Sequence, residues 1–245
     1  VTDNSAQKAS PTYRLAALDT EFLLSDPMRG ARFMMEYEKA EDILRAHRIV
    51  STIVVFGSAR VREGAPGDSG RWYSAARKFA QIASEQGGAK DGTSHDRHNV
   101  IATGGGPGIM EAANRGATEA GAPSIGFNVV LPHEQEPNAW STPELTFNFH
   151  YFAMRKMHLA MRARSLVVFP GGFGTLDELF EILTLQQTGK MHDCRVVLFD
   201  RAFWSGVINF KQLAEAGFIA PADLEAFSYA DTPEEAWRAH AGETT

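Results

Sequence analysis

Between residues 19 and 47, apolar side chains recur at three- and four-residue spacing. They are Phe33, Met34, Tyr37, Ala40 and Leu44, with Glu36, Lys39, Glu41 and Arg45 between them. That period predicts an amphipathic helix. The period then changes: residues 49–56 form a β-branched run that stops at Gly57-Ser58, the pattern of a buried strand. The alternation continues down the chain. Helices are predicted over 71–86, 108–121, 151–164 and 176–188, and strands over 99–103, 124–131, 145–149, 165–169 and 195–200, with the remainder helical. Strands alternating with helices predict an α/β fold, a parallel sheet with helices on both faces and extra helices at both termini. Right-handed crossovers then put every strand-to-helix loop at the carboxyl edge of that sheet. No linker rich in Pro, Gly or Ser divides the chain. It reads as a tail and helical extension over 1–48, a core over 49–200, and helices over 201–245 packed on the same domain. The polar stretch 87–98 reads as a surface insertion.

Composition narrows the class. The chain has 245 residues, of which 44% are hydrophobic, and a net charge of −6. No stretch reaches the ~18 uncharged apolar residues of a membrane helix, so no membrane partner is expected. Residues 1–11 lack the basic and apolar regions of a signal peptide, and a cytoplasmic location is expected. The single cysteine, Cys194, excludes an internal disulfide framework and a multi-thiolate zinc site. An acidic balance argues against nucleic acid as a partner, because phosphate neutralisation needs clustered Lys and Arg. His95 and His98 in the insertion have no acidic or thiol partner at ligand spacing, so no metal is expected.

The 22 glycines gather where strands end: Gly57; Gly104, Gly105, Gly106 and Gly108; Gly171, Gly172 and Gly174. A glycine loop feeding a helix presents unpaired N–H groups and the positive end of the helix dipole, which together suit a phosphate. No Lys-Ser/Thr follows these loops, so they are not Walker loops. The strand after the Gly104 loop closes in Pro132-His133 rather than in an acid, which disfavours NAD. Thr175 falls where a helix cap or phosphate ligand belongs, with Asp177 and Glu178 in the first turn behind it. Carboxylates there also suit the dipole without any ligand. Arg155 and Lys156, beside Met154 near the start of the 151–164 helix, run against the dipole preference, and an anionic ligand would reward them.

The string Pro170-Gly-Gly-Phe-Gly-Thr-Leu-Asp-Glu178 resembles the PGGxGTxxE signature of the Lonely Guy (LOG) family, long labelled possible lysine decarboxylases. Phe56-Gly57-Ser58-Ala59-Arg60, residues 103–110 with Glu111, and Met154-Arg155-Lys156 agree in order and type. Residues 131–138 resemble a loop of the bacterial branch, and the likeness spans roughly 50–200. It implies a Rossmann-like fold with the PGGxGTxxE motif at the carboxyl edge, and a homodimer or larger homo-oligomer. It also implies hydrolysis of the N-glycosidic bond of adenosine-type nucleoside 5′-monophosphates, AMP or cytokinin nucleotides, without a cofactor. The likeness further implies Arg155 and Glu178 as the catalytic pair. Ser58, Gly104, Gly105, Gly106, Met154, Lys156, Gly171, Gly172, Gly174, Thr175 and Asp177 would shape the substrate and phosphate site.

The chemistry suits those residue types. A carboxylate facing an oxocarbenium-like sugar stabilises its charge or orients water, a role for Glu178. Arg155 is too basic for proton abstraction and serves as an electrostatic partner. Lysine decarboxylation would need pyridoxal phosphate on a lysine, and neither Lys156 nor Lys190 lies in such a setting. The competing reading is a non-catalytic carrier of a nucleotide or molybdenum cofactor, which would have no use for a carboxylate at the sugar.

Overall fold

A computed structural model of the chain describes residues 2–90, 96–131 and 136–242. Helices α1 (Ser5–Ala9), α2 (Thr20–Leu24) and α3 (Arg29–Ala46) lead into strand β1 (Thr52–Phe56). Then follow α4 (Asp68–Gln86), β2 (Val100–Thr103), α5 (Ile109–Glu119), β3 (Ser124–Val129), β4 (Thr146–Phe149) and α6 (Phe152–Met161). The chain continues through β5 (Ala163–Val168), α7 (Phe173–Gln187), β6 (Arg195–Phe199), α8 (Arg201–Val207), α9 (Phe210–Glu215), β7 (Phe227–Ala230) and α10 (Pro233–Ala241). Among the described residues the strands form one sheet in the order β4-β3-β2-β1-β5-β6-β7, with every pairing parallel. This is an α/β Rossmann-like fold.

Period-2 alternation divides the apolar side chains between the two faces. In β1, Val54 and Phe56 join a cluster with Ala40, Leu44, Leu159, Leu179 and Trp204. Ile53 and Val55 point the other way, into a cluster with Tyr73, Phe79, Ile109 and Ala236. Helices α3, α6, α7 and α8 therefore cover one face, and α4, α5 and α10 the other. The sheet grows outward from β1 in one direction through β4, then restarts at β5 on the other side. Such a reversal opens a crevice beyond the carboxyl ends of the two central strands.

Several boundaries differ from the sequence expectation. The helix predicted through 19–47 is broken: Pro27 cannot continue α2, and a 3-10 turn at Asp26–Met28 precedes α3. Met34, counted in its apolar stripe, is 62% exposed, whereas Ala40 and Leu44 are fully buried. The helix predicted over 151–164 stops at Met161 because Ala163 already pairs with Thr52 in the sheet. The stretch after 200 is not all helical. It contributes β7, which pairs with β6 from Val196–Phe227 to Phe199–Ala230. Residues 91–95, which include His95, and 132–135 lie outside the described residues.

Three polar ties fix the frame. Glu36 of α3 accepts from the backbone N–H groups of His150 (2.8 Å) and Tyr151 (3.3 Å), so a carboxylate from the N-terminal segment caps α6. Buried Glu41 takes both Nη groups of Arg162 at 2.9 Å. The third tie centres on a fully buried asparagine. Asn114 Oδ1 accepts from Thr103 Oγ1 (2.7 Å) and Asn138 Nδ2 (3.0 Å), while its Nδ2 donates to Ser124 Oγ (2.9 Å) and to the Ile125 carbonyl (3.2 Å). Replacing it with leucine leaves these buried groups unpaired, so Asn114→Leu is expected to lower unfolding free energy by about 3 kcal/mol in a denaturant titration.

Candidate active site

The crevice between β1 and β5 holds a cleft of about 540 Å³. Two backbone bonds close its floor: Phe169 N–H donates to the Phe56 carbonyl at 2.8 Å, and Ser58 N–H to the Pro170 carbonyl at 3.0 Å. The β1 and β5 loops are thus joined beyond their strands. The helix after the second loop starts earlier than its pattern suggested. Gly172 is the N-cap of α7 and makes no side-chain cap. Thr175 is consequently inside the first turn and buried, and its N–H donates to the Gly172 carbonyl at 3.0 Å. Asp177 and Glu178 fall in the second turn, and the first turn contains no acid. The reading of these two carboxylates as first-turn dipole partners is therefore corrected, and the amino end of α7 faces the cleft without a capping carboxylate.

Glu178 is 4% exposed, and no hydrogen bond reaches its carboxylate from the described residues. Burial pushes its pKa up to about 7, against the pull of Lys156 and Arg155. Arg155 comes from α6. Its Nε donates to the Phe127 carbonyl at 2.9 Å, and the guanidinium carbon lies 5.9 Å from the ring centres of both Phe56 and Phe152. Burial lowers its pKa, opposed by the charges of Glu178 and Asp177. Arg155 and Glu178, from different helices, line the same cleft.

Of the other residues singled out in the sequence, Ser58, Gly172, Gly174, Thr175 and Asp177 also line it. Gly104 stands behind it: a Cβ there would come within 2.6 Å of Arg155 Nη2, so the missing side chain makes room for the guanidinium. Gly105, at φ +72°, and Gly106 are held away from the lining, their carbonyls accepting from Asn138 Nδ2 at 3.0 Å. Gly171 packs against the Thr175 side chain and the Ser58 N–H. Met154 packs on the apolar core, not the cleft. Lys156 is likewise turned elsewhere. Its ammonium meets Glu181 at 2.7 Å, Asp177 at 2.9 Å and Glu178 at 4.0 Å. Burial opposes that charge, but the bonds to Glu181 and Asp177 prevail and raise its pKa. The cation that runs against the helix dipole thus meets carboxylates of α7.

The lining also includes residues not singled out: Phe56, Arg60, Met110, Phe152 and Phe173. Arg60 stood in the quoted Gly57-Ser58 string, while Phe173 is the variable letter of the glycine motif. No group of three or more His, Cys, Asp or Glu able to hold a metal occurs among the described residues. No helix among them is long and apolar enough to cross a membrane. A larger cavity of about 1160 Å³ lies at the other end of the sheet, around Phe180, Cys194, Phe210, Tyr229 and Arg238, and contains none of the candidate residues.

A family model described as "Possible lysine decarboxylase" matches residues 110–240, more than half of the chain. Cytokinin riboside 5′-monophosphate phosphoribohydrolase LOG3 of Arabidopsis thaliana is 28% identical over 141 residues, 56% of this chain and 64% of that one. Probable cytokinin riboside 5′-monophosphate phosphoribohydrolase LOGL2 of Oryza sativa subsp. japonica is 28% identical over 141 residues, 56% of each chain. The matched stretch thus spans less than two thirds of these relatives' length. Among solved structures, a molybdenum cofactor binding protein from Rippkaea orientalis superposes with TM-score 0.52 at 18% identity, over 80% of this chain and 97% of that one. The Moco carrier protein of Chlamydomonas reinhardtii gives TM-score 0.51 at 20% identity, over 79% and 96%. At those identities the likeness is one of fold.

The raised pKa of Glu178 has a stability consequence. The unfolded carboxyl ionises near its ordinary 4.5 and the folded one near 7, so the folded state holds the extra proton in between. Wild-type stability therefore falls as pH rises through that window, by about 3 kcal/mol in full. Glu178→Gln lacks the titration, so its stability relative to wild type is expected to increase from pH 5 to pH 8. Urea titrations at the two pH values measure this, and equal differences at both would refute the buried, protonated state.

Proposed function

This chain belongs to the possible lysine decarboxylase family, and we propose that it hydrolyses the N-glycosidic bond of adenosine-type nucleoside 5′-monophosphates to free base and ribose 5-phosphate. The observation that carries the reading is the pairing of a buried, hydrogen-bond-free carboxylate with a guanidinium in one cleft, next to an uncapped helix amino end. The names of the curated relatives point the same way.

The scissile bond joins C1′ of the ribose to a ring nitrogen of the base. Its electron pair leaves with the base, and positive charge spreads over C1′ and the ring oxygen. Water adds to C1′, a proton from that water is lost, and a proton is gained by the base. Ionised Glu178 faces the developing cation and accepts the proton of the attacking water. Its burial suits the task, because a base poised near neutral pH is ionised in part and still basic. Arg155 remains charged throughout and stabilises the negative charge that builds on the departing base. The 5′-phosphate lies toward the amino end of α7, where the Phe173 and Gly174 N–H groups have no intrahelical acceptor. Such a site prefers the monophosphate to the nucleoside.

The carrier reading keeps one point in its favour, the fold it shares with molybdenum cofactor proteins. It predicts binding without turnover. Incubation with AMP and with isopentenyladenosine monophosphate, followed by chromatography of the released base, separates the two; absence of base from both substrates sinks the hydrolase. Glu178→Gln is expected to lower kcat by about 10²-fold or more while AMP still binds. The wild-type rate is expected to rise with pH as the carboxylate ionises and to level off above about 7, the folded pKa of Glu178.

A further inference from the structure

Among the described residues two arginines line the cleft, Arg155 and Arg60, and the first is committed, as are Arg62 and Arg71 in the segment that follows β1. Arg155 is packed between Phe56, Phe152 and Gly104 at the end of the cleft where Glu178 lies. Arg62 turns back on its own loop, donating from Nη1 to the carbonyls of Ala59 (2.6 Å) and Val61 (2.9 Å). Arg71 is bound to Asp68, with Nη2 at 3.0 Å from its carboxylate, and to Asp200. Lys156 is shared among the carboxylates of α7. Arg60 differs. It lines the cleft, and among the described residues its guanidinium has no ion pair or hydrogen bond.

The loop that carries Arg60 is nonetheless well held. Ser58 Oγ accepts from the Arg60 N–H at 3.1 Å, Ser58 N–H is tied to Pro170, and the Ile109 N–H donates to the Ser58 carbonyl at 3.2 Å. The Arg62 bonds staple its far side, and the Arg62 N–H reaches Ser69 Oγ at 3.2 Å. A backbone fixed at so many points presents one unpaired cation to the same cleft as the uncapped N–H groups of α7. Buried Glu178, whose carboxylate accepts no hydrogen bond from the described residues, lines that cleft and marks it as a ligand site rather than a bare helix end. A phosphate dianion beside Glu178 would set like charges together, whereas Arg60 is carried by the β1 loop and not by the helix that bears the carboxylates Lys156 gathers.

We propose that Arg60 is the residue that pairs with the substrate's 5′-phosphate, and that Lys156, expected from sequence to do so, instead positions the carboxylates of α7. The inference rests on the nucleotide reading above and deepens it: specificity for a monophosphate over a nucleoside comes from the β1 loop. Arg60 is exposed, so its replacement leaves the fold intact.

Calorimetry with the full chain tests this, using AMP and adenosine as separate ligands for wild type, Arg60→Gln and Arg60→Lys. Arg60→Gln is expected to weaken AMP by about tenfold or more and to leave adenosine within about twofold. Arg60→Lys keeps the charge and recovers part of the AMP affinity. In turnover assays KM for AMP rises for Arg60→Gln, and the pH midpoint set by Glu178 does not move. An AMP affinity unchanged in Arg60→Gln would show a solvated rim cation and overturn the proposal. So would equal losses for AMP and adenosine, or a wild-type protein that binds no AMP. If wild type binds AMP but releases no base, the hydrolase reading falls, and the AMP-to-adenosine comparison still decides the role of Arg60.

Discussion

The structure turns on a short zipper between the first and fifth strands. β1 and β5 pair along their length, and the pairing runs past both ends through Phe169 to Phe56 and Ser58 to Pro170. Parallel neighbours so far apart in sequence meet only after the chain has completed one half of the sheet. Once they do, the register of two glycine loops is set by backbone geometry rather than by side chains. Gly171 then sits against Ser58 and Thr175, and the start of α7 is aimed across the crevice. The Arg155–Glu178 pair inherits its position from this join, because Glu178 rides on α7 and Arg155 on the helix that enters β5.

Charge is distributed around the join with some economy. Burial of Glu178 costs free energy in its ionised form, and the protein offsets part of that cost with two cations rather than with hydrogen bonds. Full pairing with Arg155 would have made a stable salt bridge and a weak base. Distance from Lys156, 4.0 Å at its nearest, keeps the carboxyl near neutrality in its titration. Lys156 meanwhile neutralises Asp177 and Glu181, which keeps those two carboxylates from pushing Glu178 further upward. α7 therefore carries the buried acid and its acidic neighbours, and α6 supplies the cation that holds those neighbours quiet.

Much of this was readable before any coordinates, and the failures share a cause. The β-branched runs at residues 52–56 and 195–199 are self-evident strands because both faces are covered, so no alternation is needed to recognise them. β7 escaped because an edge strand of four residues, half-buried and without a β-branched side chain, carries almost no pattern. The start of α7 was placed late because Gly172, Phe173 and Gly174 are poor local helix formers, and only the join to β1 holds them in a turn. The carboxylate partners of Lys156 are invisible in the sequence for a similar reason. Its partners Asp177 and Glu181 are more than 20 positions away, and their proximity is a property of packed helices rather than of the local string. The glycine motif and Arg155 were legible as candidates because each is unusual where it stands.

The carboxylate that caps α6 has one further implication. A boundary drawn from hydrophobic pattern separates residues 1–48 from the core, yet Glu36 lies before that line and the helix it caps lies after it. The dipole of the helix that presents Arg155 is thus completed by charge borrowed from the N-terminal segment. The segment before that line is bound to the core mechanically as well as electrically. A cut at the hydrophobic edge would take buried Ala40 and Leu44 from beneath the sheet together with the carboxylate that caps α6.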